Sequence, residues 1–301
     1  MQSIIEQSPP RQGVLKIIRA AHLGMCFGVR DAIAIAVDEA SRQPLTILGQ
    51  LVHNESVIGE LRARGIGIED QPAAVKTPAV MITAHGASQK ALQRARDHGL
   101  RVLEATCPLV HQAHRAVQQL VREGFHPVII GRRGHVEVRG LTEDLKEFDI
   151  VLTEEDVAQL RERPRFGIAT QTTQPIARAR QLVELIRRRF PRSETRFVDT
   201  VCQPTKQRQA AAVELARQSD VVVVIGGATS NNTRELVATC SRYCGRVHHV
   251  QTDAELSEDW FAGADTVGIT AGTSTPDWIV DGVEEQIHRI GRRNLESNEQ
   301  L

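Results

Sequence analysis

Arg101-Val102-Leu103-Glu104-Ala105-Thr106-Cys107-Pro108-Leu109-Val110 is the stretch that decides the fold. Arg101 to Ala105 is an apolar run of strand length. After Cys107, Pro108 suits the first position of a helix. Val110, Ala113, Val117, Leu120 and Val121 then keep helical spacing. The same order of strand, cysteine and helix occurs twice more. Leu15 to Ala20 leads to Cys26 and a helix with Val29, Ala32, Ile33, Ala36, Val37 and Ala40, and Thr195 to Asp199 leads to Cys202 and a helix over Lys206 to Arg217.

Outward from these three junctions, strand-length apolar runs keep alternating with amphipathic segments, the pattern of α/β units with parallel sheets. Strands are expected at Leu45–Leu48, Ala79–Thr83, Pro127–Ile130, Arg165–Ala169, Val221–Ile225, Arg246–Val250 and Thr266–Thr270. Helices are expected over Val57–Arg64, Ser88–His98 and Thr233–Tyr243, as a basic helix ending near Phe190, and from Pro276 onward. The fold class is therefore α/β, with three similar α/β units around a shared centre. The expected division is a flexible leader over 1–14, units over 15–107, 108–199 and 200–290, and a polar tail over 291–301. No Gly, Ser or Pro linker separates the units, so they share interfaces. The cysteine spacings, 81 and 95 residues, are too unequal for a solenoid.

Composition excludes several functions. The 301 residues carry 37 Lys and Arg against 37 Asp and Glu, so no global field favours nucleic acid or an acidic membrane, and an anionic ligand must be held locally. Aromatic residues make up 3% of the chain, too few for base-stacking platforms. Met1 to Gly13 lacks the basic start and apolar core of a signal peptide, and the longest strongly apolar run, Val221–Ile225, cannot span a bilayer. The expectation is a soluble cytoplasmic protein that binds neither membrane nor nucleic acid. Five cysteines without a secretion signal read as reduced thiols, metal ligands or catalysts, not as a disulfide framework.

Cys26, Cys107 and Cys202 occupy one topological slot, before a helix whose dipole and free N–H groups favour a thiolate. Any one of them alone reads better as a small buried hydrophobe. Three in the same slot favour metal ligation, while the close pairs of a zinc site and the compact run of a ferredoxin are absent. Cys240 and Cys244 lie outside that slot and read as helix packing and a helix end before Gly245.

Several strand ends carry small polar clusters: Thr83-Ala84-His85-Gly86, Gly134-His135-Val136-Glu137, Thr170-Gln171-Thr172-Thr173, Thr229-Ser230-Asn231-Asn232 and Thr273-Ser274-Thr275-Pro276. Ligands of α/β folds bind at the carboxyl ends of strands. Such hydroxyls and amides, with helix N-terminal N–H groups, can hold a diphosphate without a P-loop lysine; neither a P-loop nor a dinucleotide fingerprint is present. Each cluster taken singly reads as helix capping, and each histidine as a structural hydrogen-bonder.

In order, Gly24-Met25-Cys26-Phe27-Gly28-Val29, Val52-His53-Asn54, Ala84-His85-Gly86, Glu104 to Val110, Gly134 to Val138, Thr170 to Thr173, Cys202 with Arg208-Gln209, Ser230-Asn231-Asn232 and Ala271 to Asp277 resemble the 4-hydroxy-3-methylbut-2-enyl diphosphate reductase family over about residues 15 to 290. The resemblance implies one 4Fe-4S cluster held by Cys26, Cys107 and Cys202, with one open iron that the allylic oxygen approaches. It implies that His53, His85, Ser230, Asn231, Asn232 and Ser274 hold the diphosphate. His135, Glu137 and Thr172 would surround the leaving hydroxyl, with Glu137 as the acid.

The implied reaction is reductive dehydroxylation to isopentenyl and dimethylallyl diphosphate, the last step of the methylerythritol phosphate pathway. A ferredoxin or flavodoxin would supply electrons to a monomer. Val136 stands where the family often has proline, Asn231 where it often has a second serine, and Cys202 to Gln207 differs from common versions. Two other readings keep the cluster: a redox sensor whose loops only cap helices, and a hydro-lyase without net electron transfer.

Overall fold

The computed structural model describes residues 15–298. The expected leader over 1–14 and the last three residues of the expected tail lie outside them. In chain order, β1 (Lys16–Arg19) leads through Cys26 to α1 (Phe27–Ala40), β2 (Leu45–Leu48), α2 (Glu55–Ala63), β3 (Gly67–Glu69), β4 (Ala79–Ile82), α3 (Gln89–Asp97) and β5 (Arg101–Glu104). Cys107 opens α4 (Pro108–Arg122), followed by β6 (His126–Ile130), α5 (Val136–Thr142), β7 (Asp149–Val151), α6 (Glu154–Gln159), β8 (Arg165–Thr170), α7 (Ile176–Arg189) and β9 (Glu194–Phe197). Cys202 opens α8 (Gln203–Arg217), then β10 (Val221–Ile225), α9 (Asn231–Cys240), β11 (Val247–Val250), β12 (Thr266–Ala271) and α10 (Asp277–Asn298). The last helix thus runs into the expected polar tail.

These strands form three four-stranded sheets, ordered β3-β2-β4-β5, β7-β6-β8-β9 and β11-β10-β12-β1, with every pairing parallel. The expected three parallel α/β units are present. One assignment is corrected: β1 falls within the expected first unit but pairs with β12 of the third sheet, Lys16 opposite Thr266. Burial explains why. Sheet interiors such as Val221–Ile225 are wholly buried, as expected of parallel strands covered on both faces. Without β1, the edge of β12 would be open to solvent.

The exchange follows a rule. Each edge strand passes its chain to a helix that packs on the next sheet. Val29, Ala32 and Ala36 of α1 bury against Leu45, Ile47, Ala79 and Met81 of the first sheet. Ala113 and Val117 of α4 pack on Ile129 and Ala169 of the second, and Ala211, Ala212 and Leu215 of α8 on Val222 and Val224 of the third. Burying each Val, Ile or Leu contributes roughly 1.5–3 kcal/mol, so the helix-to-sheet match fixes each crossing. A cysteine stands at every crossing.

Candidate active site

Cys26, Cys107 and Cys202 are the N-cap residues of α1, α4 and α8, and none uses its side chain as a cap. Their backbones are held alike. Cys107 donates its N–H to Ala84 O, Cys202 to Thr172 O and Cys26 to Thr273 O, each at 3.0 Å. The acceptors all lie just beyond the strand beside the edge strand: β4, β8 and β12. Arg208 of α8 ties two of these corners together by donating to Gly24 O at 2.7 Å and to Pro204 O at 3.1 Å.

Two of the thiols do not behave as the helix dipole alone suggests. Burial pushes Cys107 up and Cys202 up to about 11, outweighing the hydrogen bonds they receive at the helix starts. Such thiols stay protonated until a metal takes them as thiolates. The cradle fits such a group: a Cβ on Gly28 would stand 2.5 Å from Cys107 Sγ, so glycine keeps this corner clear. Among the described residues, the group of ligand atoms lying within 4.8 Å of one another is His53, His85 and His135, not the three sulfurs.

Beside the cysteines lies a polar pocket lined by His53, His85, His135, Ser230, Asn231, Asn232 and Ser274, with Thr173 and Thr273. The histidine rings sit 5.1 to 5.5 Å apart between centroids. Topology brings them together, because His85 follows β4, while His135 and Ser230 are the N-caps of α5 and α9. Capping and pocket lining coincide here: Ser230 Oγ accepts from Thr233 N at 3.3 Å, and His135 Nδ1 accepts from Glu137 N at 3.1 Å. His135 therefore carries its proton on Nε2. At Gly227 a Cβ would collide with the His53 carbonyl oxygen, so only glycine lets the first and third units close on the pocket here.

Burial is the main cause that holds His53 below the usual imidazole range, His85 well below it and His135 at about 4. All three rings are neutral at pH 7. Arg132 and Arg234 add positive potential at His53. His53 Nε2, His85 Nδ1, Asn232 Nδ2 and Ser274 Oγ are buried without a partner. Orphaned polar atoms gathered in one pocket are what a polar ligand satisfies.

Glu137, 1% exposed, stands next to this pocket on α5. Thr172 N donates to one carboxyl oxygen at 2.6 Å and Thr172 Oγ1 to the other at 3.1 Å. Both bonds favour the ionised form, yet burial prevails and raises Glu137 to about 7. Every expected site residue is thus in the cysteine cradle, the pocket or the Glu137–Thr172 pair. Thr173, Thr273, Arg132, Arg234 and the clamp by Arg208 were not assigned from sequence, although Thr173 and Thr273 sat inside quoted clusters. Cys240 and Cys244 lie apart, in the core beneath α8 and α9.

Three parallel α/β units with a cysteine at each crossing and a donor-lined pocket define a class of α/β protein whose site suits a small anion. Residues 17–288 match the family described as LytB protein, and the chain belongs to it. Relatives named 4-hydroxy-3-methylbut-2-enyl diphosphate reductase include one from Trichlorobacter lovleyi, 37% identical over 92% of this chain and 99% of its own. One from Aquifex aeolicus is 34% identical over 95% of this chain and 100% of its own. The solved structure of the Plasmodium falciparum E-1-hydroxy-2-methyl-but-2-enyl-4-diphosphate reductase matches with a TM-score of 0.83 and 26% identity, over 91% of this chain and 88% of that one. Among the described residues no helix is long and apolar enough to cross a membrane.

Proposed function

We propose that this protein is a 4-hydroxy-3-methylbut-2-enyl diphosphate reductase that cleaves the allylic C–O bond of its substrate. Family membership supports the activity. The observation that carries the residue roles is the adjacency of three features: a pocket of neutral donors, a buried carboxyl raised to about 7, and three uncapped cysteines at converging helix starts.

His53, His85, Ser230, Asn231, Asn232 and Ser274 hold the diphosphate. Their N–H and O–H groups, the N-terminal amides of α9 and the potential from Arg132 and Arg234 replace the lysine of a P-loop. The three imidazoles are close enough to share one cation, but the hydroxyl and amide donors beside them favour an anion. Cys26, Cys107 and Cys202 would hold a 4Fe-4S cluster, which would supply Lewis acidity and electrons when bound.

Glu137, in its acid form, donates a proton to the departing oxygen. Thr172 positions the carboxyl, and His135 lines the pocket beside it, its Nδ1 accepting from the Glu137 backbone N–H. The C–O bond breaks and the oxygen leaves as water. Two electrons from an external ferredoxin- or flavodoxin-type carrier and a second proton reach the allyl fragment, giving isopentenyl or dimethylallyl diphosphate. Iron and sulfide content of anaerobically purified protein tests the cluster assignment: Cys107→Ser should lose both and Cys240→Ser neither. The reverse pattern would end the assignment.

A further inference from the structure

His114 of α4 is assigned nothing above, yet its ring lies where the first and second units meet behind the pocket. A Cβ on Gly86, next to His85, would stand 3.4 Å from His114 Nε2, and one on Gly140 of α5 would stand 3.5 Å from Cε1 and Nε2. The ring thus lies between the His85 loop and the helix that presents His135 and Glu137, within van der Waals reach of both. Its buried Nε2 bonds no group of either element, so it is contact with the ring, not a hydrogen bond from it, that joins the two. On the outer side the same two elements are tied by Gln89 N and Lys90 N donating to Asp144 at 2.7 and 3.0 Å. Ser88 Oγ also donates to Glu143 across this seam, and the ring supplies the contact nearest His85.

We propose that His114 is a positioning residue that sets the separation of His85 from His135 and Glu137. The inference rests on the assignment of His85 to the diphosphate. Removing the ring leaves a void into which the loop or α5 can shift, and misplacement by about 1 Å is enough to cost up to 100-fold.

The test uses the cluster-loaded enzyme with His114→Ala, His114→Phe and His85→Ala. Three readouts are taken: KM, the rise in melting temperature caused by inorganic diphosphate, and iron content. His114→Ala should raise KM at least about tenfold, blunt the thermal protection and keep its iron. His114→Phe should restore both affinity readouts. An unchanged KM in His114→Ala, even with a lower melting temperature, reduces His114 to ordinary packing and overturns the proposal, as does failure of His114→Phe to rescue. If His85→Ala keeps full diphosphate affinity, the site assignment falls, and the role of His114 falls with it.

Discussion

Glu137 concentrates the chemistry at the scale of single residues. Its carboxyl is raised to about 7 because burial outweighs two hydrogen bonds from Thr172. Only the acid form can donate, so kcat should fall as pH rises through about 7. Glu137→Gln keeps the shape but loses the proton. It should retain iron and diphosphate affinity, lower kcat by about 10²–10⁴-fold and abolish that limb of the pH profile. Undiminished turnover would remove Glu137 from the mechanism. Asn232 illustrates charge instead: its Oδ1 accepts from Thr273 N at 2.9 Å while its Nδ2 is orphaned. Asn232→Asp sets a carboxylate against the anion, and KM should rise more than in Asn232→Ala. At this scale the sequence was informative where residues sit in short motifs. It was silent on Arg132 and Arg234, whose fields act across units, and on the strength of burial at Cys202, where desolvation overrides the helix dipole.

The recurring element is a helix opened by a cysteine whose N–H is fixed by a neighbouring strand end. Those junctions could be read from sequence because strand, cysteine and helix are contiguous. Short elements could not: β3 and β7 have three residues each, and α5 and α6 seven and six, too few for a periodic signal. The tight corner at Gly28 gives a prediction of its own. In Gly28→Ala the new methyl would lie 2.5 Å from Cys107 Sγ and 3.0 Å from its Cβ, so Cys107 must move. Iron content should drop well below wild type while the far-ultraviolet circular dichroism stays unchanged. Full iron loading would mean that the corner has slack which the contacts do not suggest.

At the scale of the whole molecule, the chain closes on itself. β1 completes the third sheet, as β5 and β9 complete the first and second, and its Arg19 pairs with Asp281 of α10 at 2.7 Å. This closure was hidden in the sequence, because a strand at the start of a chain reads as part of the unit that follows it. Deleting residues 15–20 should open the edge of β12, lower the melting temperature and loosen Cys26, which follows β1 and whose N–H is fixed by Thr273 O just beyond β12. An equal melting temperature would show that the third sheet does not need the strand. The account as a whole is tested most directly by adding 4-hydroxy-3-methylbut-2-enyl diphosphate to anaerobic protein with reduced viologen, with iron measured in the same sample. The account predicts rapid dye oxidation in proportion to iron. Full iron content without oxidation would contradict it, leaving a cluster-bearing protein with another task.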